Sequence, residues 1–364
     1  MRKFLPGLLV LTILLGVLGG RAAFAEVSHT TPQALRNLGL DPDRFLLASF
    51  SPDGRKILGS EPGTTEEIAK GIAHKVFILS VRSDGQITQA KRYEIPEAIE
   101  QISFTPDGRQ VVMIARSGAT WLVLDLQSGQ VRTFHEHVSG QPGFRAYPLI
   151  VRIEGGRLLA TGYFYDEKDF GGPNALAEVD PSQTGIAAFT KTAEAGSVHN
   201  KLKDLAFYSY TAGDRGFFCN QEGKQLFRLY HWVAGNEPVQ FDEAQLFTAY
   251  DGAGECAAYS ARRAEGVEEL ILFDASTGNR KVLATSESPF LYLTLSKDGE
   301  RVVVTQLAQQ EDRVLYFVAS PGTEMELKPV PGLPRARAGA LRMTSDGKKF
   351  CLFNSEGLRI VDIP

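Results

Sequence analysis

The chain has 364 residues, with 39 Lys and Arg against 43 Asp and Glu and a formal net charge of −4. It lacks the basic surplus that nonspecific phosphate binding requires, so nucleic acid is not an expected partner. Its 36 Gly, 18 Pro and 10% aromatic content suit many short strands joined by tight turns.

The first segment reads as a leader. Arg2 and Lys3 form a positive start, Phe4 to Leu18 an apolar stretch, and Ala23-Phe24-Ala25 a small-residue cleavage site. The expectation is a signal peptide over residues 1–25, a single domain over 26–364, and a protein delivered to a periplasm or the medium. No Cys lies near the cleavage site, and no later apolar run approaches membrane length.

From Phe45 onward the chain is punctuated by one turn chemistry. Ser51-Pro52-Asp53-Gly54, Thr105-Pro106-Asp107-Gly108, Ser296-Lys297-Asp298-Gly299 and Thr344-Ser345-Asp346-Gly347 each stand between apolar, β-branched runs. Ser or Thr opens such a turn, Asp accepts backbone bonds within it, and Gly takes the left-handed position that closes a hairpin. Divergent copies are placed at Glu154-Gly155, Asp214-Arg215 and Asp251-Gly252. A second signature follows each first turn: an apolar strand and a polar turn, as in Trp121 to Gly129 and Leu270 to Gly278. Each unit therefore reads strand, turn, strand, loop, strand, turn, strand.

Repetition at this period predicts an all-β fold, a seven-bladed β-propeller of four-stranded antiparallel blades, with six or eight blades as the alternatives. The last unit runs out of chain after its third strand. Open blade edges invite aggregation, so Val27 to Thr31 is assigned as the missing outer strand that closes the ring. Gln33 to Leu40 then bridges to the first blade.

The repeats Phe50 to Leu58 (FSPDGRKIL) and Phe104 to Val112 (FTPDGRQVV), continued by Trp121 to Gly129, resemble the TolB-type, WD40-like propeller repeats of exported bacterial proteins. The resemblance is to the repeat and not to TolB itself, which carries a separate domain ahead of its propeller. It implies a propeller fold and leaves the function open, because one fold hosts many functions.

Catalytic signatures are sparse. There is no G-x-S-x-G elbow and no G-x-G-x-x-G opening a helix. Cys219, Cys256 and Cys351 each follow the acidic residue of their turn by five positions, the place of Val112 and Val303 in other units, so they read as buried free thiols. His135 and His137 flank Glu136 in an outer strand expected to be solvated; two His without a further ligand make a weak metal signal.

Recognition is expected on the face that carries the long connections: Glu61 to His74, His135 to Tyr147, Tyr163 to Asn174, Lys191 to Lys203, Ala261 to Val267 and Pro331 to Ala338. Its candidate binding surface is Tyr163, Tyr165, Asp166 and Asp169, with Arg335 and Arg337 supplying charge of the other sign. No cofactor is called for. The expected role is a binding or assembly scaffold for another envelope protein or a polar ligand. The competing class is a lactonase-like hydrolase or a lyase with a metal or acid-base site at the central channel.

Overall fold

The computed structural model describes residues 28–363, apart from 155, 169–170, 172–174, 195–205, 212–214, 223–225, 234–238, 254, 264–265, 297, 309–310, 319–327, 331–332 and 334–339. The leader expected over residues 1–25 lies outside the described residues.

The strands form seven four-stranded antiparallel sheets. Blade one comprises Leu46–Phe50, Lys56–Pro62, His74–Val81 and Ile87–Ile95; blade two comprises Ile99–Phe104, Gln110–Ala115, Thr120–Asp125 and Val131–Glu136. Blade three comprises Gly143–Glu154, Arg157–Tyr165, Ala175–Val179 and Phe189–Glu194. Blade four is built from Ala206–Thr211, Arg215–Glu222, Leu226–Val233 and Val239–Ala244, and blade five from Leu246–Ala253, Cys256–Arg262, Glu268–Asp274 and Asn279–Ser286. Blade six has Phe290–Leu295, Arg301–Ala308, Glu311–Val318 and Lys328–Pro329. The last blade joins Ala340–Met343, Lys349–Asn354 and Gly357–Asp362 to Ser28–Thr30 from the other end of the chain.

The expected seven-bladed ring, closed by Val27 to Thr31, is corrected in its regularity by this arrangement. Blades one to six are each four consecutive strands, and the outer strands of blades one to five are five residues or longer. The described outer strand of the sixth is two residues long, and the seventh is a composite of both chain ends. The fold is all-β, and its described helices are short. A helix at Pro32–Asn37, capped by Thr31, bridges into blade one, a second helix spans Thr65–Ala69, and a 3-10 turn spans Gly185–Ala188.

The repeated turn works as a hydrogen-bond box. In blade one Ser51 Oγ donates to Asp53 Oδ1 at 2.6 Å and accepts from Lys56 N at 2.9 Å, while Asp53 Oδ1 accepts from Arg55 N at 3.1 Å. Thr105, Ser296 and Thr344 repeat it with Asp107, Asp298 and Asp346. Burial opposes ionisation of Asp53, yet the Ser51 hydroxyl and Arg55 amide hold its carboxyl below the usual range. The closing Gly of each turn has φ between +65° and +73°, a region that excludes most side chains.

Blades pack face to face, so the apolar core is a series of seams. Between blades two and three, Val112, Trp121, Phe134, Phe144, Ala160 and Phe189 form one cluster, with the Trp121 and Phe189 rings 4.9 Å apart. Burial of these rings is the main driving force that holds neighbouring blades together. The seam between blades seven and one is knit further by polar contacts. Arg342 donates to Ala48 O, Ser345 Oγ to Pro52 O, and Ser28 Oγ to Gly85 O.

Two local readings are corrected. Asp251 and Gly252 do not form the first turn of blade five; they lie within Leu246–Ala253, and the hairpin closes where Ala253 pairs with Cys256. Cys256 is consequently at a strand start and half-buried, whereas Cys351 is fully buried in mid-strand. Burial pushes the Cys351 thiol up to about 12. The Cys219 side chain lies outside what is described.

Candidate functional site

In this topology the loops between second and third strands share one face of the disk with the connections between blades. The blade-three loop carries the expected surface. Tyr163 is paired with Arg145 and Tyr165 with Gly143 across the strands that lead into it. Tyr165 is half-buried, because the chain folds back onto it: Gly171 bridges to Tyr165, and the Tyr165 ring lies 4.4 Å from that of His137. A Cβ on Gly143 would sit 2.7 Å from His137 Nδ1, so glycine leaves room for this tilted ring contact. Lys168 N donates to Asp166 Oδ1 at 2.8 Å, which tightens the turn. Asp166, Glu167 and Lys168 are exposed at its tip.

Tyr163, Tyr165 and Asp166 thus share one hairpin. Asp169, Arg335 and Arg337 lie outside the described residues. His135 departs from the expected solvated strand. It is 4% exposed, with Nε2 2.9 Å from Phe144 O and its ring edge-on to Phe189. Burial is the main cause that pushes its pKa down. The reason is a register shift opposite Trp121 and Leu122, which turns Phe134 and His135 both inward.

The neighbouring blade-two hairpin carries residues that the sequence did not reveal. Arg116 and Ser117 both adopt left-handed backbone conformations, φ 51° and 53°, without being glycine. Such positions cost of order 1 kcal/mol or more each and persist only when their surroundings fix them. Here the surroundings are charged. Ser117 N donates to Glu100 Oε1 at 2.6 Å, and Ser117 O accepts from Arg145 Nε of blade three at 2.8 Å. The Arg116 guanidinium reaches Glu97 at 2.7 Å and Glu136 at 2.8 Å. Arg145 also pairs with Tyr163 in register, so the strained turn and the Tyr-rich loop form one continuous surface across two blades. Gly118 marks a turn here, but nothing local marks the left-handed conformations of the two residues before it, and their partners come from three separate segments.

Blade one adds a rigid cap to the same face. Thr64 and Glu67 form a capping box at the start of Thr65–Ala69, with Glu67 Oε2 accepting from Thr64 N at 2.8 Å. The Thr64 amide, then Lys75, pulls the Glu67 carboxyl down to about 2. Lys75 is buried, with Nζ 2.9 Å from Glu61 Oε2 and 3.2 Å from Glu67 Oε1, and Glu61 Oε1 accepts from Asp41 N at 2.6 Å. The cap is therefore anchored to the blade by buried charge. Among the described residues, no three His, Cys, Asp or Glu converge as a metal ion would require, and no helix is long and apolar enough to cross a membrane.

No family model and no curated protein matches the chain. Solved structures do. It is similar to an oligogalacturonate lyase from Vibrio parahaemolyticus, with 12% identity, TM-score 0.60, and coverage of 93% of this chain and 94% of that one. It is also similar to an oligogalacturonate lyase in complex with manganese, at 14% identity and TM-score 0.57, covering 94% of both chains. TolB from Acinetobacter baumannii matches at 15% identity and TM-score 0.41, over 82% of this chain and 67% of that chain. At such identities the first two likenesses show the fold alone, and that fold is a β-propeller.

Proposed function

We infer that this chain is an exported envelope protein that binds a polar partner, another envelope protein, through its long-loop face at blades two and three. The observation that carries the reading is the Arg116-Ser117 turn. Two adjacent non-glycine residues are held in strained conformations by charged side chains from both blades, and one of these, Arg145, is the register partner of Tyr163 in the hairpin that carries Tyr165 and the exposed Asp166 and Glu167. Strain stored in a surface turn, beside aromatic and charged groups on a rigid scaffold, fits a recognition surface better than a tolerated insertion. Tyr and Arg are also the side chains that contribute most in protein interfaces. The leader pattern at Arg2, Lys3 and Ala23 to Ala25 supports export.

The test is capture of the partner from the native envelope by the wild-type chain and by an Asp166→Lys, Glu167→Lys variant. These tip residues are exposed, so the variant should keep its melting temperature and lose the partner. Retention of the partner by the variant, with loss in a Gln130→Ala, Asn279→Ala variant of the opposite face, would reject the reading. The two lyase-like neighbours favour a second reading, a propeller enzyme. Turnover of an anionic polysaccharide without partner capture would establish it instead.

A further inference from the structure

The hairpin of blade seven on the loop face joins Lys349–Asn354 to Gly357–Asp362. Asn354 lies opposite Gly357, and Arg359 opposite Leu352. Residues paired across antiparallel strands, or two apart along one strand, share a face. Asn354 and Arg359 are therefore diagonal neighbours on the face whose apolar members, Phe350, Leu352 and Val361, cluster with Val303 of blade six. Both are buried, 5% and 6% exposed. Asn354 Oδ1 accepts from Glu356 N at 2.9 Å, and Arg359 Nη2 donates to Glu356 Oε2 at 2.7 Å. Two donors remain, Asn354 Nδ2 and Arg359 Nη1, each sealed from solvent and without a hydrogen-bond partner among the described residues. Native interiors leave few such groups unmatched, because a buried donor without an acceptor is costly.

We propose that Asn354 and Arg359 form a carboxylate-binding site, with one ligand oxygen accepting from Arg359 Nη1 and the other from Asn354 Nδ2. The chemistry selects the ligand. Two unpaired donors on one face call for a group with two acceptor oxygens, and a guanidinium edge matches a planar carboxylate. A water molecule must also donate; the side chains of Phe350, Leu352 and Val361 accept nothing, and the Glu356 carboxylate is already engaged by Arg359. A phosphate would bring a second negative charge beside a cation that already has one carboxylate partner. Glu356, 40% exposed, is that partner. It is a like charge for the incoming ligand, so it weakens binding. The site does not depend on the loop-face reading at blades two and three.

Thermal unfolding of the full chain at constant ionic strength tests this, with sodium acetate as the probe and acetamide and chloride as controls. Acetate should raise the melting temperature saturably, since a ligand that binds the folded state stabilises it, and acetamide and chloride should not. Glu356→Gln should lower the half-saturating acetate concentration several-fold, and Asn354→Leu should abolish the response. Equal shifts from acetamide or chloride, or an unchanged acetate response in Asn354→Leu, would overturn the proposal. If Asn354→Leu does not fold, ¹³C line broadening of labelled acetate decides: saturable broadening by the wild type, tightened in Glu356→Gln, supports the site, and its absence up to about 0.1 M overturns it. N-acetylglycine and galacturonate, run beside acetate, represent a peptide terminus and a sugar acid. Tighter binding of either supports the site and names its natural source.

Discussion

Replacing Lys75 by Met tests the buried charge that anchors the blade-one cap. Met preserves the length of the side chain and removes the ammonium group. Glu61, whose side chain is fully buried, then loses its partner at 2.9 Å and keeps the Asp41 amide. Breaking a buried ion pair on one side costs about 3–5 kcal/mol, because the remaining charge is uncompensated. The retained amide bond places the expectation near the lower end, about 3 kcal/mol, or roughly a hundredfold in the unfolding equilibrium. Urea unfolding followed by the fluorescence of Trp121, which is fully buried, reads the loss. The paired Lys75→Met, Glu61→Gln variant should recover most of it, since no buried charge is left alone. A single-variant loss below about 1 kcal/mol, or a double variant no better than the single, would refute the reasoning.

Three further outcomes follow from the same structure. Burial pushes the His74 pKa from 6.5 down to about 4, so folded His74 stays neutral where the unfolded chain is protonated. Its contribution is fully present above pH 6.5 and is lost as the pH falls toward 4; wild type should lose roughly 2 kcal/mol more than His74→Gln between pH 8 and pH 5, measured by denaturant titration at each pH. Alkylation followed by peptide mass mapping should label half-buried Cys256 before fully buried Cys351, and Cys351 labelling in the native state at the Cys256 rate would contradict the core placement. Deleting the residues before Thr31 removes Ser28–Thr30 from its pairing with Gly357–Asp362 and exposes that edge, so sedimentation should show oligomers; a monomer of unchanged melting temperature would rule out the closing role.

What could be read from the sequence was chemistry carried by neighbouring residues. Ser51, Asp53 and Gly54 form a complete local box, and the same box at Thr105, Ser296 and Thr344 makes the repeat visible without any long-range knowledge. The same local signal misleads at Asp251-Gly252. There the Asp side chain accepts from Leu295 N of the next blade, and the dipeptide lies in a strand. His135 escapes the two-residue alternation because a register shift opposite Trp121 turns it inward. Lys75 with Glu61, and Ser117 with Glu100 and Arg145, were invisible for a different reason: their partners lie 14 to 28 residues apart and meet only when the hairpins and blades pack. The sequence points to Tyr165 as a contact residue, yet its ring is partly committed to His137 and Gly171. The exposed tip residues Asp166 and Glu167 therefore become the sharper test of recognition.

The central claim is that the loop face at blades two and three meets a partner. A photo-crosslinking side chain placed at Glu167, compared with one at Asn279 on the opposite face, tests it in the native envelope; both positions are exposed. The account predicts a discrete crosslinked partner from position 167 and none from 279. Crosslinking from 279 with none from 167 would contradict it.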